Sequence, residues 1–250
     1  MAKRRALKGS EAAVPPRVVL IDANVFFAPR MRDLVMHLHA DEVINVHWTS
    51  DIESEWTRNV IAKQGADADG IRACLEGMRD AVPGWEVTGY AKHIDKFDAV
   101  HAQDRHVAAA AYKLSLDDWP GQAVALVTKN VKHFPAKAFV GTEVTRFPLG
   151  AYIDALHSAE PERVARVVET CRKKLKNPPL DKEGYVAVLM KHGCAGLATA
   201  LASGWNVECP TLAKDGTLNY EAVESNRKPP AAPGARRARL AGSARGVDPG

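Results

Sequence analysis

No apolar stretch in the 250 residues is long enough to span a bilayer, so a helical membrane protein is not expected. The opening MAKRRALKGSEAAVPP is basic but lacks the apolar centre of a signal peptide, which points to a cytoplasmic protein. Cysteine is scarce: Cys74, Cys171, Cys194 and Cys209 are scattered without C-x-x-C spacing, against both a zinc knuckle and a disulfide frame. No glycine-rich phosphate loop, G-x-S-x-G elbow or H-E-x-x-H pair is present, which argues against nucleotide triphosphatase, serine hydrolase and metalloprotease chemistry. Internal repeats are also lacking. What is there is ordinary globular material, with 46% hydrophobic and 26% charged residues and enough length to bury a full core.

The net charge of +4 is mild, but it is unevenly placed. Lys3, Arg4, Arg5 and Lys8 crowd one terminus; Arg227, Lys228, Arg236, Arg237, Arg239 and Arg245 crowd the other, inside a Pro/Ala/Gly-rich tail. Such segments bury too little apolar surface to offset chain entropy, so residues 1–16 and a partly basic tail, 206–250, are expected to be flexible. A basic tail can attract phosphate backbones or simply aid solubility.

Between them, 17–21 reads as a buried strand after Pro15 and Pro16, 31–40 as an amphipathic helix, and 43–48 as a short strand. Ser50 followed by Glu53 fits a capping box, predicting a helix from there to about 62. A second helix is expected over 68–82, stopped by Pro83-Gly84, and a strand over 85–88. The alanine-rich 104–114 reads as a helix, 122–128 as another buried strand, and 143–146 as a further one. Strands and helices alternating at these lengths predict an α/β domain over 17–148, with a parallel sheet covered on both faces in three α/β/α layers. Over 149–205 the pattern is one of successive helices, broken at Asn177-Pro178-Pro179, giving an extension that can cover the sheet, form a homodimer or dock a partner; packing on the sheet domain is the preferred reading.

In VVLIDANVFF, residues 18–27, an apolar run ends at Asp22, with Asn24 two residues on. Ligands of open parallel sheets collect at the carboxyl ends of strands, where Asp22, Thr128 and Asn130 are all placed. Asp104 opens one helix and Glu55 lies near the start of another, although Glu53 is an equal candidate there and both Asp22 and Asp104 can serve merely as helix caps. Carboxylates gathered without histidine–cysteine pairing suit a hard cation, Mg²⁺ or Mn²⁺, and metal-assisted hydrolysis of nucleic acid. Arg58, Lys129, Lys132 and Lys137 lie close to these acids in sequence and can hold phosphates. Trp48 and Trp56 can stack on bases or pack in the core.

The segments VVLIDANVFF, RMRDLVMHL, VHWTSDIESEWTRNV, DRHVAAAA and LVTKNVKHFP, in that order over 18–148, resemble PIN-domain proteins, the fold of many VapC-type toxin ribonucleases. The resemblance implies a metal-dependent endoribonuclease, the toxin of a type II toxin–antitoxin pair, restrained by a small antitoxin protein. It puts the metal-binding acids at Asp22, Glu55 and Asp104, a water- or substrate-orienting role at Asn130, and polar support at Asn24, Thr128 and His133. Arg32-Asp33 and Arg105-His106 match features of a subgroup. The chain departs from the family at the fourth acid, where Asn130, or His133 three residues on, stands in place of aspartate. That departure leaves a rival expectation, a catalytically weak PIN-fold module that binds RNA or a protein partner.

Overall fold

The computed structural model describes residues 14–65, 67–176 and 178–220. Most of the basic N-terminus and the tail beyond Tyr220 therefore lie outside the described residues.

Strand β1 (Val18–Ile21) runs through the middle of a parallel sheet and is buried at every position, as a four-residue apolar run with both faces covered should be. A single helical turn, α1 (Ala23–Phe26), leads to α2 (Pro29–Ala40), which buries Met31, Leu34, Val35 and Leu38 along one stripe. Then come β2 (Asn45–His47), α3 (Ser50–Gln64) and α4 (Ala68–Ala81). Short 3₁₀ turns over Tyr90–Phe97 precede α5 (Arg105–Lys113), whose Ala108–Ala111 run is wholly buried; small side chains let this helix lie close to its neighbours. Strands β3 (Val124–Thr128) and β4 (Val144–Pro148) complete the sheet in the order β2-β1-β3-β4, all parallel. The expected three-layer α/β architecture is thus the observed one. The chain leaves β1 for β2 on one side and returns to β3 on the other, so the sheet's switch point lies between β1 and β3.

Helices α6 (Leu149–Ala159), α7 (Pro161–Lys174), α8 (Lys182–Lys191) and α9 (Ala195–Trp205) form the extension. It packs on the sheet domain: Tyr152 Oη donates to the Pro16 carbonyl at 2.6 Å, Arg163 pairs with Asp41 at 3.1 Å, and Glu160 pairs with Arg17. Asp154 of α6 accepts from the backbone N–H groups of Gly196 and Leu197, both at 2.9 Å, and so caps α9 from a different helix. Within the stretch expected as a tail, β5 (Thr211–Leu212) and β6 (Leu218–Asn219) pair antiparallel, a local hairpin that no apolar alternation announces. All four cysteines are free thiols. No helix among the described residues is long and apolar enough to cross a membrane.

Two local expectations are corrected. Residues 85–88 make only a single bridge, Trp48 with Glu86, instead of a strand. The cap of α3 is Thr49, whose hydroxyl accepts from the Ile52 N–H at 3.1 Å, so the capping box on Ser50 and Glu53 does not form. Glu53 is drawn elsewhere: 3% exposed, it accepts from Trp48 Nε1 at 2.9 Å and from Arg79 Nε at 3.0 Å. Trp48 and Trp56 are fully buried, Trp48 stacked on Trp85 at 5.0 Å and Phe26 set edge-on to both, so neither tryptophan faces a base. Glu53→Ala would strand a buried indole N–H. The expected loss is about 2 kcal/mol in urea unfolding, with Glu53→Gln milder because it keeps an acceptor. An unchanged midpoint for the alanine variant would show the network to be energetically idle.

Candidate active site

Asp22 follows directly on β1, and its backbone N–H donates to the Val127 carbonyl at 3.0 Å, which locks it beside the end of β3 at the switch point. Its side chain does not cap α1. Instead Oδ2 accepts from Thr128 Oγ1 at 2.6 Å and from Asn24 Nδ2. Asn24 also donates to Thr128 Oγ1 at 3.0 Å and accepts from the Lys129 N–H at 2.8 Å, so β1 and β3 are stitched together by their own polar ends. Both of these side-chain donors fall on one carboxylate oxygen, and the Ala23 backbone N–H also supports the charged carboxyl.

The Asp22 carboxyl is pushed up to about 6. Burial is the main cause; the Thr128 hydrogen bond works against it, and the charges of Asp104 and Glu55 add to the rise. Residues 33 and 82 positions away in sequence are therefore close enough to repel Asp22 electrostatically. Asp104 does not cap α5 with its side chain either. Glu55 and Asp104 both line a cleft of about 650 Å³ that also takes in Arg58, Asn59, Gln103 and His106. No lysine or arginine among the described residues forms an ion pair with Asp22, Glu55 or Asp104; the only pairs are those of Asp104 with two histidines.

Glu53, the other candidate at the start of α3, is buried and paired with the half-exposed Arg79, so Glu55 alone of the two reaches the cleft. Asn130 is solvent-exposed; its backbone N–H donates to Thr128 Oγ1 at 2.9 Å. His133 Nδ1 lies 2.9 Å from Asp104 Oδ2. Arg58 lines the cleft, whereas Lys129 lines a separate cavity of about 300 Å³ against Pro148–Ala151 and His192–Gly193. Lys132 is exposed and does not line the cleft. Arg32 donates to the Phe26 carbonyl at 3.1 Å and lies over Trp56, and Arg105 holds the Asp98 and Val100 carbonyls at 2.8 and 3.2 Å, so both arginines are structural.

Two residues of the site carried no assigned role in the sequence reading. His106 Nε2 is buried against the cleft without a partner. His101, three residues before Asp104, stacks on His133 and reaches the same carboxylate; the H-x-x-D spacing was the available signal.

The fold and site define a class: a parallel α/β domain with a cleft lined by carboxylates from α3 and the start of α5, and a buried aspartate, Asp22, after its central strand within reach of their charges. Residues 151–203, nearly the whole helical extension, match a family model described as the VapC50 C-terminal domain, which makes the chain similar to VapC-family proteins over that stretch. No curated protein and no solved structure matches the chain.

Proposed function

We propose that the protein is a Mg²⁺- or Mn²⁺-dependent endoribonuclease of the PIN-domain, VapC-type class, acting as the toxin of a toxin–antitoxin pair. One observation carries the reading: Asp22, buried at a strand end, is close enough to Asp104 and Glu55 to feel their charges, and among the described residues no lysine or arginine is paired to any of the three, only His101 and His133 to Asp104. Like charges kept together cost stability, and a divalent ion relieves that cost. The donors fit such an ion, being carboxylate oxygens with Asn24 and Thr128 behind them.

When bound, the ion supplies an activated water and charge neutralisation at a phosphoryl oxygen. Asp22, Glu55 and Asp104 would hold it. Thr128 and Asn24 keep the Asp22 carboxylate in one orientation by occupying Oδ2. Arg58 on the cleft wall can engage a backbone phosphate. A small antitoxin protein is the partner this reading calls for, and the acidic cleft suits a basic segment of it. The second reading, an RNA- or protein-binding module that does not cut, draws on His133, which occupies an Asp104 oxygen where an additional acid would favour metal.

The test is cleavage of single-stranded RNA by the purified protein with Mn²⁺, compared with Glu55→Gln. A drop of roughly 100-fold or more is expected, on the scale of removing a group that stabilises transition-state charge. Equal cleavage by the variant would place the activity in a contaminant.

A further inference from the structure

Asp104 divides its two oxygens. Oδ2 lies 2.9 Å from His133 Nδ1 and 3.4 Å from His101 Nδ1, while Oδ1 has no protein partner among the described residues. One ligand atom from each of His101, Asp104 and His133 can be chosen so that all lie within 4.8 Å of one another. Donors bound to one ion at about 2.0–2.1 Å stand roughly 3.0 Å apart at a right angle and 3.4 Å apart in a tetrahedron. The two spacings to Asp104 are of that size.

The cluster is also held in place. The His101 N–H donates to the His133 carbonyl at 3.1 Å, tying the two segments together, and the imidazoles stack with centroids 4.7 Å apart. Each histidine adjoins a buried anchor: Val100 is 2% exposed and Phe134 fully buried. Arg105 fastens the first segment through the Asp98 and Val100 carbonyls. The side chains themselves keep access to solvent, 50% exposed at His101 and 30% at His133, so waters can fill the remaining positions and the rings can turn to close around an ion.

We propose that His101, Asp104 and His133 form a second metal site, for a zinc-class first-row transition ion, joined to the acid centre through the two oxygens of Asp104. Two imidazoles and one carboxylate favour Zn²⁺, Co²⁺ or Ni²⁺ over Mg²⁺, whereas the all-oxygen centre favours the hard ions. The histidine site stands on its own donors; only its link to the acid centre rests on the ribonuclease reading.

Co²⁺ is the probe, because imidazole ligation changes its visible absorption, and Zn²⁺ binding follows by calorimetry, both on the full-length chain freed of metal. The wild type should take up one Co²⁺ with imidazole-type bands. The His101→Ala, His133→Ala double variant should lose those bands and bind Zn²⁺ roughly 100-fold more weakly, since even outer-shell partners cost about 10- to 100-fold, while still binding Mn²⁺. Asp22→Asn should do the reverse, keeping the Co²⁺ bands and losing Mn²⁺. The single variant His133→Gln, judged by the same spectrum, serves if the double variant fails to fold by circular dichroism. A wild type without imidazole-type Co²⁺ bands, or a folded histidine variant with unchanged spectrum and Zn²⁺ affinity, would overturn the proposal. A wild type that takes Co²⁺ at the histidines but binds no Mn²⁺ would instead remove the ribonuclease reading and leave this site standing.

Discussion

Asp22→Asn is expected to yield a protein that neither binds Mn²⁺ nor cleaves RNA, and that is more stable than its parent at pH 7. The Asp22 side chain is 2% exposed and its carboxyl sits at about 6 instead of the ordinary 3.8, through burial first and the Asp104 and Glu55 charges after it. A raised pKa means that the folded state holds the proton more tightly than the unfolded chain does. The group therefore favours folding below pH 4, and that contribution is lost as pH rises through about 6. At pH 7 the ionised carboxylate opposes folding by an amount on the order of 2–3 kcal/mol. Asparagine removes the charge yet keeps an oxygen to accept from Thr128 and Asn24. For a chain of this size the gain corresponds to a Tm rise of roughly 4–10 °C at pH 7, shrinking to nothing below pH 4, where the native carboxyl is protonated. Saturating Mn²⁺ should stabilise the parent and leave the variant unmoved. Thermal unfolding over pH 3.5–7.5 checks all three; a variant no more stable than its parent at pH 7 would remove the electrostatic case for a metal centre.

Gly150→Ala is expected to destabilise the protein by about 3 kcal/mol or more, near the top of the range for single substitutions. A methyl group at Gly150, in the first turn of α6, would press into the backbone of Gly193, and would lie 2.6 Å from the His192 carbonyl oxygen. Backbone cannot rotate out of the way as a side-chain tip can, so the α8–α9 turn must move. Gly193 is itself committed to φ +79°, which leaves that turn little freedom to adapt. Lys129, just past β3, lines the cavity beside this contact, so the displacement would reach the residue following Thr128. Gly77→Ala supplies the control: nothing lies within 4 Å of its added methyl in α4, and a gain of about 0.5–1 kcal/mol is expected. Equal urea midpoints for Gly150→Ala and the parent would mean that the helical extension is not pinned to the sheet at this contact.

Much of the framework is legible in the amino-acid sequence. Short apolar runs rich in β-branched residues, such as VVLI and VALVT, read as strands covered on both sides, and the 3.6-residue spacing in α2 and the Pro83-Gly84 stop are local facts that local sequence carries. That acids stand at strand ends and helix starts was equally readable. Which of them share a cleft was not, because side-chain direction depends on partners far along the chain. Residue chemistry alone does not separate Glu53 from Glu55 in DIESEW, although the resemblance points to Glu55; Arg79, from another helix, claims the first, and the second lines the same cleft as Asp104. Asp22 and Asp104 read equally well as caps; the switch point between β1 and β3 turned the one toward Thr128, and the meeting of two remote loops brought His101 and His133 to the other. Secondary structure follows from short-range sterics and hydrophobic period, whereas a site is made by long-range register, and only the folded chain expresses that.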